Sequence, residues 1–392
     1  MNQVFSHEEL MKLCRKDEWK YYDISKEELI EQINLNFNSI INGTFAFDIV
    51  QTGDYFQIND LSQKLIIRKL NDNIKRLYKD EQSNRRIIIK QIKTLLHETV
   101  PMWILKTDIE SFYESIDRNR LLVKLKNDSI LSYHSIYLIQ KLFSEAPLSS
   151  TSGLPRGLSI SSTLSEMYMR KFDRWIKSYP SVYYYARFVD DIIVFSNSAK
   201  GLEELKNSIN SQLEVGLRKK EVKTELFNGE NIRDSRPLEY LGYKFTTSLN
   251  PQKKRELRVS IARKKVKKIK TRITLSFCEY SKSENFELLQ KRIQFLTGNY
   301  SIKRNEDSED LKAGIFYNYC YLNHFFDLTS LNLYYRKIIY CKKGRLGILL
   351  SSKLSDSQKD TLLKYSFIYG HKNKVYHSFS ADEMKDIKLC WK

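Results

Sequence analysis

The segment that most constrains the fold is a pair of adjacent aspartates between two apolar runs. Residues 187–196 read RFVDDIIVFS, with Asp190 and Asp191 near the centre. Short β-branched and aromatic runs on both sides of two polar residues are typical of two strands joined by a tight turn. Buried flanks would hold both carboxylates at the edge of a sheet, where they repel each other unless a hard divalent cation binds them. A solvated hairpin turn explains this segment alone equally well.

A third carboxylate favours the interpretation of this segment as a metal site. Residues 103–113 read WILKTDIESFY, which predicts a buried strand that ends at Asp108 and then turns into the start of a helix. An aspartate at the end of an apolar strand is costly without a partner or a metal, although a helix N-cap would also account for Asp108 by itself. Three oxygen donors from two strands suit a phosphoryl-transfer centre with two Mg²⁺ ions, for which Mn²⁺ is the alternative.

Five segments resemble the motifs of reverse transcriptases, in the order of that family. Asp108 with Phe112-Tyr113 resembles the first motif, residues 153–162 (GLPRGLSISS) the second, and residues 188–191 (FVDD) the third. Residues 216–224 (GLRKKEVKT) are similar to the fourth motif, and residues 239–245 (EYLGYKF) to the primer-grip hairpin. The resemblance implies an α+β right-hand polymerase with fingers, an RRM-like palm built on an antiparallel sheet, and a helical thumb.

The expected subdomains follow from the positions of these motifs. Residues 1–100 are the N-terminal segment and compact fingers, residues 101–248 the palm with the catalytic motifs and primer grip, and residues 249–392 the basic helical thumb and C-terminal region. Apolar spacing predicts a helix over residues 61–78, and the isoleucine run predicts a strand over residues 84–90. The short stretch of chain between this predicted strand and Asp108 leaves room for one helix, residues 91–98.

The resemblance implies the following roles at the metal centre. Asp108 and Asp190 bridge the two ions, Asp191 completes the cluster and the Ile109 carbonyl adds a backbone ligand. Lys223 is the candidate proton donor to pyrophosphate, with a solvated surface lysine as the alternative. The neighbouring acids are interpreted as surface groups; they are Glu110 and Asp117.

Other residues are expected to hold the incoming nucleotide. An arginine at Arg85 or Arg86 would grip the triphosphate, unless both belong to a solvated edge strand. Tyr113 would exclude a 2′-hydroxyl and select dNTPs, unless it is only a packed tyrosine. The second motif would place Pro155-Arg156-Gly157 against the template–dNTP pair, and the primer end would rest on Leu241-Gly242-Tyr243.

The charge of the chain is consistent with a nucleic-acid partner. Lys and Arg number 66 against 47 Asp and Glu, a net charge of +19, which favours release of counterions from a phosphate backbone. Residues 253–272 contain eleven of the basic residues, and apolar positions 262, 266, 269 and 273 predict a helix with one buried stripe. Nucleic-acid contact is expected from Arg263, Lys264, Lys267 and Lys268, with a solvated face as the alternative.

Cysteine usage and hydropathy indicate a cytoplasmic protein without a membrane segment. The five cysteines are scattered and form no C-x-x-C pair, which argues against a disulfide framework or a structural zinc site. The chain opens without a signal-peptide pattern and has no run of 18 apolar residues.

Within the family, three features resemble the bacterial defence-associated (abortive-infection or retron-like) group. They are the compact fingers, Arg156 where many relatives have glutamine, and the sequence DIESFYES at residues 108–115. The subtype they resemble is the smaller reverse transcriptase of a type 3 defence-associated system. That resemblance implies a noncoding RNA as template, dNTPs and a DNA product, a second reverse transcriptase or another copy of this chain as partner, and a role against phage.

Three alternatives remain open. A retron-type reverse transcriptase is the nearest, although the Pro-Gln-Gly typical of its second motif is not present. The chain could instead be a catalytically idle, polymerase-derived RNA-binding subunit, but a scaffold would have no reason to keep three carboxylates. An RNA-dependent RNA polymerase would favour a small residue where Tyr113 stands.

Overall fold

The computed structural model describes residues 2–79, 83–98, 100–249, 255–302 and 311–391. The chain forms two compact units. The first unit comprises Met1–Ile88 and Pro101–Gly229, and the second comprises Ile89–Val100 and Glu230–Lys392. The predicted boundaries at residues 100 and 248 concern functional subdomains and stay predictions.

The first unit contains both helices and strands, interspersed along the chain. Its helices are α1 (His7–Met11), α2 (Glu18–Tyr21), α3 (Lys26–Ile41), α4 (Leu61–Tyr78), the start of α5 (Arg85–His97), α6 (Arg118–Asp128), α7 (Tyr133–Ser144), α8 (Ser159–Lys177) and α9 (Ala199–Gln212). Its strands are β1 (Ile49–Thr52), β2 (Tyr55–Ile58), β3 (Trp103–Asp108), β4 (Val182–Phe188), β5 (Asp191–Ser196) and β6 (Glu225–Asn228). The helix predicted over residues 61–78 is confirmed.

A four-stranded antiparallel sheet forms the centre of the first unit, in the order β4-β5-β3-β6. Strand β5 is buried because Ile192, Ile193, Val194 and Phe195 are all apolar and enclosed. Helix α8 packs on β4, and α9 packs on β3 and β5. The register pairs Asp108 at the end of β3 with Asp191 at the start of β5. The predicted α+β class with an antiparallel sheet is confirmed.

The second unit combines two small sheets with a set of helices. Its strands are β7 (Leu238–Tyr240), β8 (Tyr243–Leu249) and β9 (Arg255–Ile261), which form one antiparallel sheet, and β10 (Asn299–Ile302) and β11 (Leu311–Gly314), which pair with each other. Its helices are the remainder of α5, then α10 (Arg263–Ser283), α11 (Phe286–Thr297), α12 (Ile315–Asn318), α13 (Phe326–Ile339), α14 (Gly344–Lys353), α15 (Asp356–Leu363), α16 (Phe367–Lys372) and α17 (Ala381–Leu389). Across the described ranges, no helix combines the length and apolarity that crossing a membrane requires.

The prediction of a strand over residues 84–90 was wrong. Helix α5 begins at Arg85 and continues to His97, and the Asn84 side chain accepts a hydrogen bond from the Arg86 N–H at 2.9 Å. Four apolar side chains recur at helical spacing and are buried: Ile88, Ile89, Ile92 and Leu96. Burial of that stripe outweighs the strand preference of consecutive β-branched residues.

One further boundary differs from expectation. No helix starts directly after Asp108: Ile109 pairs with Lys219, residues 110–115 form turns, and α6 begins at Arg118. The N-cap of α6 is Asp117, whose side chain accepts hydrogen bonds from the backbone of Asn119 and Arg120, so the N-cap explanation of Asp108 was wrong. The helix predicted from apolar positions 262, 266, 269 and 273 is confirmed as α10, which begins at Arg263. Residues 255–261 of the basic run form strand β9, and residues 253 and 254 lie outside the described residues.

Candidate active site

The two central aspartates lie on a two-residue turn. Phe188 of β4 pairs with Asp191 of β5, so the turn consists of Val189 and Asp190. Val189 has a φ of 61°, a left-handed conformation that a β-branched residue rarely adopts. The Asp190 carbonyl accepts a hydrogen bond from the Ile109 N–H at 3.2 Å, which ties the turn to the chain that leaves β3.

Asp108, Asp190 and Asp191 converge on one point. One carboxylate oxygen from each lies within 4.8 Å of the others. Asp108 is buried, and its carbonyl accepts a hydrogen bond from the Lys220 N–H at 2.7 Å. Lys223, in the 3₁₀ turn before β6, forms an ion pair with the Asp108 carboxylate. The structure thus brings together four of the predicted catalytic residues from three chain segments.

The electrostatics of this cluster follow from burial and from like charge. Burial raises the pKa of Asp191 to about 6, and the neighbouring carboxylates of Asp190 and Asp108 contribute in the same direction. The pKa of Asp190 is also raised, mainly by burial and then by Asp108. The hydrogen bond to Asp108 raises the pKa of Lys223, so its ammonium group stays protonated.

The donor set fits a hard divalent cation. Three carboxylates supply only oxygen ligands, and their mutual repulsion is relieved when positive charge lies between them. The ammonium group of Lys223 balances part of this charge at Asp108. The backbone carbonyl of Ile109, predicted as a further ligand, accepts no hydrogen bond from the described residues.

Replacing Asp191 with asparagine is expected to stabilise the metal-free protein. The pKa of Asp191 is higher in the folded chain than in the unfolded one, so its stabilising contribution is complete below about pH 4 and is lost as pH rises towards 6. At pH 7 the Asp191→Asn variant should therefore have a free energy of unfolding larger by about 1–2 kcal/mol. Denaturant titrations with EDTA at pH 4 and pH 7 measure this. An equal stability difference at both pH values would contradict it.

Tyr113 contacts the loop that follows α7 through its backbone and its ring. Its carbonyl accepts a hydrogen bond from the Leu154 N–H at 2.7 Å. Gly153 has a φ of 69°, and a side-chain carbon there would lie 2.3 Å from the Tyr113 carbonyl oxygen, so only glycine fits. The guanidinium of Arg156 lies 5.9 Å from the centre of the Tyr113 ring. Two predicted nucleotide-binding residues are therefore adjacent.

Arg156 and Gly157 also have partners within the protein. Arg156 Nε donates to Glu114 Oε1 at 2.5 Å, in a pair whose side chains are about half exposed. The Arg156 carbonyl accepts a hydrogen bond from the Phe56 N–H at 2.8 Å. A side-chain carbon at Gly157 would lie 2.4 Å from the Phe56 carbonyl oxygen. The close approach that requires glycine here is thus to the β1–β2 hairpin.

The remaining predicted residues occupy separate places. Arg85 and Arg86 form the first turn of α5. Leu241 and Gly242 form a two-residue turn between β7 and β8, both with positive φ, as a type I′ hairpin requires. The Tyr243 side chain is buried and packs edge-on to Tyr319 at 5.8 Å, which leaves the turn itself as the accessible part of the predicted primer grip.

The basic residues of α10 lie on its exposed side. Lys264, Lys267 and Lys268 are exposed, and none of them forms an ion pair with the described residues. The Arg263 side chain donates a hydrogen bond to the Asp234 carbonyl, and its backbone N–H donates to Glu239 Oε1 at 3.0 Å. Of the four positions in the predicted apolar stripe, Ala262 and Ile273 are buried, whereas Val266 and Ile269 are only partly buried.

Two arginines that support this site were not predicted from the sequence. Arg118 donates hydrogen bonds to the carbonyls of Gly153 and Leu148 and to the Thr151 hydroxyl, and so anchors the second-motif loop. Arg187 donates a hydrogen bond to the carbonyl of Val189, in the turn that carries Asp190. Its place directly before residues 188–191 was a signal in the sequence, whereas nothing local distinguished Arg118.

A family model matches most of the region just described. Residues 59–245 match the model of reverse transcriptases (RNA-dependent DNA polymerases). These residues form a reverse transcriptase domain. The cluster of Asp108, Asp190 and Asp191 lies within it. No curated protein matches the chain by sequence.

Solved structures similar to the chain include three Candida telomerases. The apo telomerase of Candida tropicalis, truncated from its C-terminal domain, is 15% identical over 62% of this chain and 50% of that chain, with a TM-score of 0.37. The Candida albicans enzyme with a fragment of telomeric RNA is 13% identical over 83% and 56%, with a TM-score of 0.34. The corresponding RNA complex from Candida tropicalis is 12% identical over 84% and 56%, with a TM-score of 0.35. The chain thus spans about half the length of these structures.

Proposed function

We propose that the protein is an RNA-directed DNA polymerase that transfers nucleotides with two Mg²⁺ ions. The observation that carries this proposal is the convergence of three carboxylates on one point of a reverse transcriptase domain. Asp108 and Asp190 would hold both ions and Asp191 would complete the ligand set. When bound, the ions stabilise the attacking and leaving oxygens of an in-line displacement.

The protein groups around the cluster orient the reactants. Lys223 is protonated at Nζ and is paired with Asp108. From there it would donate a proton to the leaving pyrophosphate. Tyr113 would place its ring beside the sugar of the incoming nucleotide, and Arg156 presents an exposed cation 5.9 Å from the centre of that ring. The ring would exclude a 2′-hydroxyl by its volume, and the cation would contact the sugar or a phosphate.

We further propose a noncoding RNA as the natural template and antiphage defence as the role. Support comes from the resemblance of residues 108–115, the compact fingers and Arg156 to the bacterial defence-associated group. The subtype proposed is the smaller reverse transcriptase of a type 3 system, located in the cytoplasm. A second reverse transcriptase, or another copy of this chain, is the proposed protein partner.

Primer extension with the purified chain tests the activity. The expected result is Mg²⁺-dependent incorporation of dNTPs on an RNA template, and the same preparation carrying Asp190→Asn controls for contaminating polymerases. Sequencing of the nucleic acid that copurifies with the protein identifies the template and the product. RNA bound without any complementary DNA, together with no extension in vitro, would instead indicate an idle RNA-binding subunit.

Neutralising the exposed face of α10 is expected to weaken nucleic-acid binding. The variant replaces Arg263, Lys264, Lys267 and Lys268 with glutamine. The slope of log K against log salt should become shallower by roughly one unit for each phosphate that the protein no longer neutralises, while extension at saturating substrate is unchanged. A matched control removes four exposed lysines of the first unit, Lys12, Lys16, Lys20 and Lys26. Identical slopes for the two quadruple variants would show that the α10 face is only solvated.

A further inference from the structure

The catalytic turn rests on a buried arginine. The Arg187 side chain is only 3% exposed, although it carries a positive charge. Its Nε and Nη2 donate to the two oxygens of Asp173 at 2.9 and 2.7 Å. Its Nη2 and Nη1 donate to the two oxygens of Glu166 at 2.7 and 3.3 Å. A buried charge is tolerated only with such complete pairing, so the position of this guanidinium is closely defined.

The carboxylates that hold Arg187 belong to one helix. Glu166 and Asp173 lie seven residues apart on α8, which places them on the same face two turns apart. Arg187 itself lies on β4, one residue before the strand ends at Phe188. The guanidinium therefore joins a long, largely buried helix to the strand that leads into the catalytic turn.

A fifth contact reaches the turn itself. Arg187 Nη1 donates a hydrogen bond to the Val189 carbonyl at 2.9 Å. Val189 is the β-branched residue with a φ of 61°, and a conformation of this kind persists only where the surroundings enforce it. On the other side of the turn, the Asp190 carbonyl is held by the Ile109 N–H. Both peptide groups of the turn are thus fixed from outside, one by α8 through Arg187 and the other by the end of β3.

We propose that Arg187 is a positioning residue that enforces the left-handed conformation of Val189 and thereby holds Asp190 beside Asp108 and Asp191. This inference rests on the proposed function, because the metal site is what the turn positions. The Arg187 guanidinium is buried against Glu166, Asp173 and the Val189 carbonyl. Its effect on the cluster passes through the Val189 carbonyl. A residue at position 189 that adopts positive φ without strain should therefore make Arg187 dispensable.

The test is a double-mutant cycle in which Mg²⁺ binding is measured for each variant. Arg187→Lys keeps the charge but cannot reach both carboxylates and the Val189 carbonyl at once. We expect the Mg²⁺ concentration that gives half of the maximal thermal shift to rise by about tenfold, the typical effect of removing a charged hydrogen bond. Val189→Gly alone should leave that concentration within about twofold, because glycine adopts positive φ freely. The double variant, Arg187→Lys with Val189→Gly, should regain at least half of the Mg²⁺ affinity that Arg187→Lys loses, measured on a logarithmic scale.

Tyr185→Phe is the matched control. Tyr185 donates a hydrogen bond to Asp173 Oδ1 at 2.6 Å, so its removal perturbs the same carboxylate without touching Val189. This variant should be less stable, yet bind Mg²⁺ like the wild type.

The outcomes separate the inference from the proposed function. Wild-type Mg²⁺ binding by Arg187→Lys would overturn the inference. If Arg187→Lys does not fold, the double variant is compared with Val189→Gly. A double variant that also fails to fold, or binds Mg²⁺ as weakly as Arg187→Lys, would show that Arg187 supports the fold in general and would overturn the inference too. Absence of any Mg²⁺ response in the wild type would contradict the proposed function itself.

Discussion

Asp190→Asn and Asp108→Asn are each expected to reduce nucleotide incorporation by about 10³-fold or more. Each substitution removes a charged ligand from the carboxylate cluster while keeping the volume of the side chain. Metal stabilisation of the transition state amounts to several kcal/mol, and about 4 kcal/mol corresponds to a 10³-fold change in rate. Single-nucleotide extension under single-turnover conditions measures the chemical step directly.

Asp117→Asn provides the matched control for these two variants. Asp117 belongs to the same unit and caps α6, and asparagine is an equally good N-cap. This variant should extend primers at the wild-type rate. Asp190→Asn should unfold at the same or a higher temperature than the wild type without metal, since it relieves repulsion between carboxylates. Wild-type extension by either Asp190→Asn or Asp108→Asn would remove the basis for a metal site at this cluster.

The hairpin that carries Asp190 and Asp191 could be predicted from sequence because its determinants are local. Apolar runs at residues 182–188 and 191–196 define two strands, and the polar pair between them leaves only a short turn. The prediction that Asp108 ends a strand had the same local basis. That Asp108 lies opposite Asp191 required a resemblance to a family, because strand pairing depends on the whole sheet.

Misassigned elements show where local patterns compete. In residues 84–90 the isoleucine run favoured a strand, but the helical stripe that continues to Leu96 decided the structure. Residues 255–261 carried no assignment of their own within the basic run. They form strand β9, whose buried apolar side chains alternate with period two, at Leu257, Val259 and Ile261.

Long-range polar contacts could not be predicted. Lys223 was a candidate on family grounds, but its pairing with Asp108 spans 115 residues of sequence. The carboxylates that hold Arg187 precede it by 14 and 21 residues and look like ordinary charges on an amphipathic helix. Hydrophobic periodicity identifies the faces of helices and strands, but does not indicate which buried charges meet.

Tyr113→Ala is expected to admit ribonucleotides. The ring is half buried between the second-motif loop and Arg156, and its pKa is raised by that burial. Removing it would leave room for a 2′-hydroxyl beside the sugar that Tyr113 is proposed to contact. We expect the ratio of kcat/KM for rNTPs to that for dNTPs to rise on the order of 10- to 100-fold, the range that steric selection in a pocket commonly provides.

A general loss of packing is separated from a loss of nucleotide selection by comparing variants of the same residue. Tyr113→Phe keeps the ring and its volume, so it should keep the wild-type preference for dNTPs even if removal of the hydroxyl group that bonds to Ser165 lowers stability. Tyr113→Ala should retain most of its kcat/KM for dNTPs, because the Leu154 hydrogen bond is made by the Tyr113 backbone and survives the substitution. A ratio that stays constant while both nucleotide classes lose activity equally would make Tyr113 a packing residue, and selection would then have to come from Arg156 or the second-motif loop.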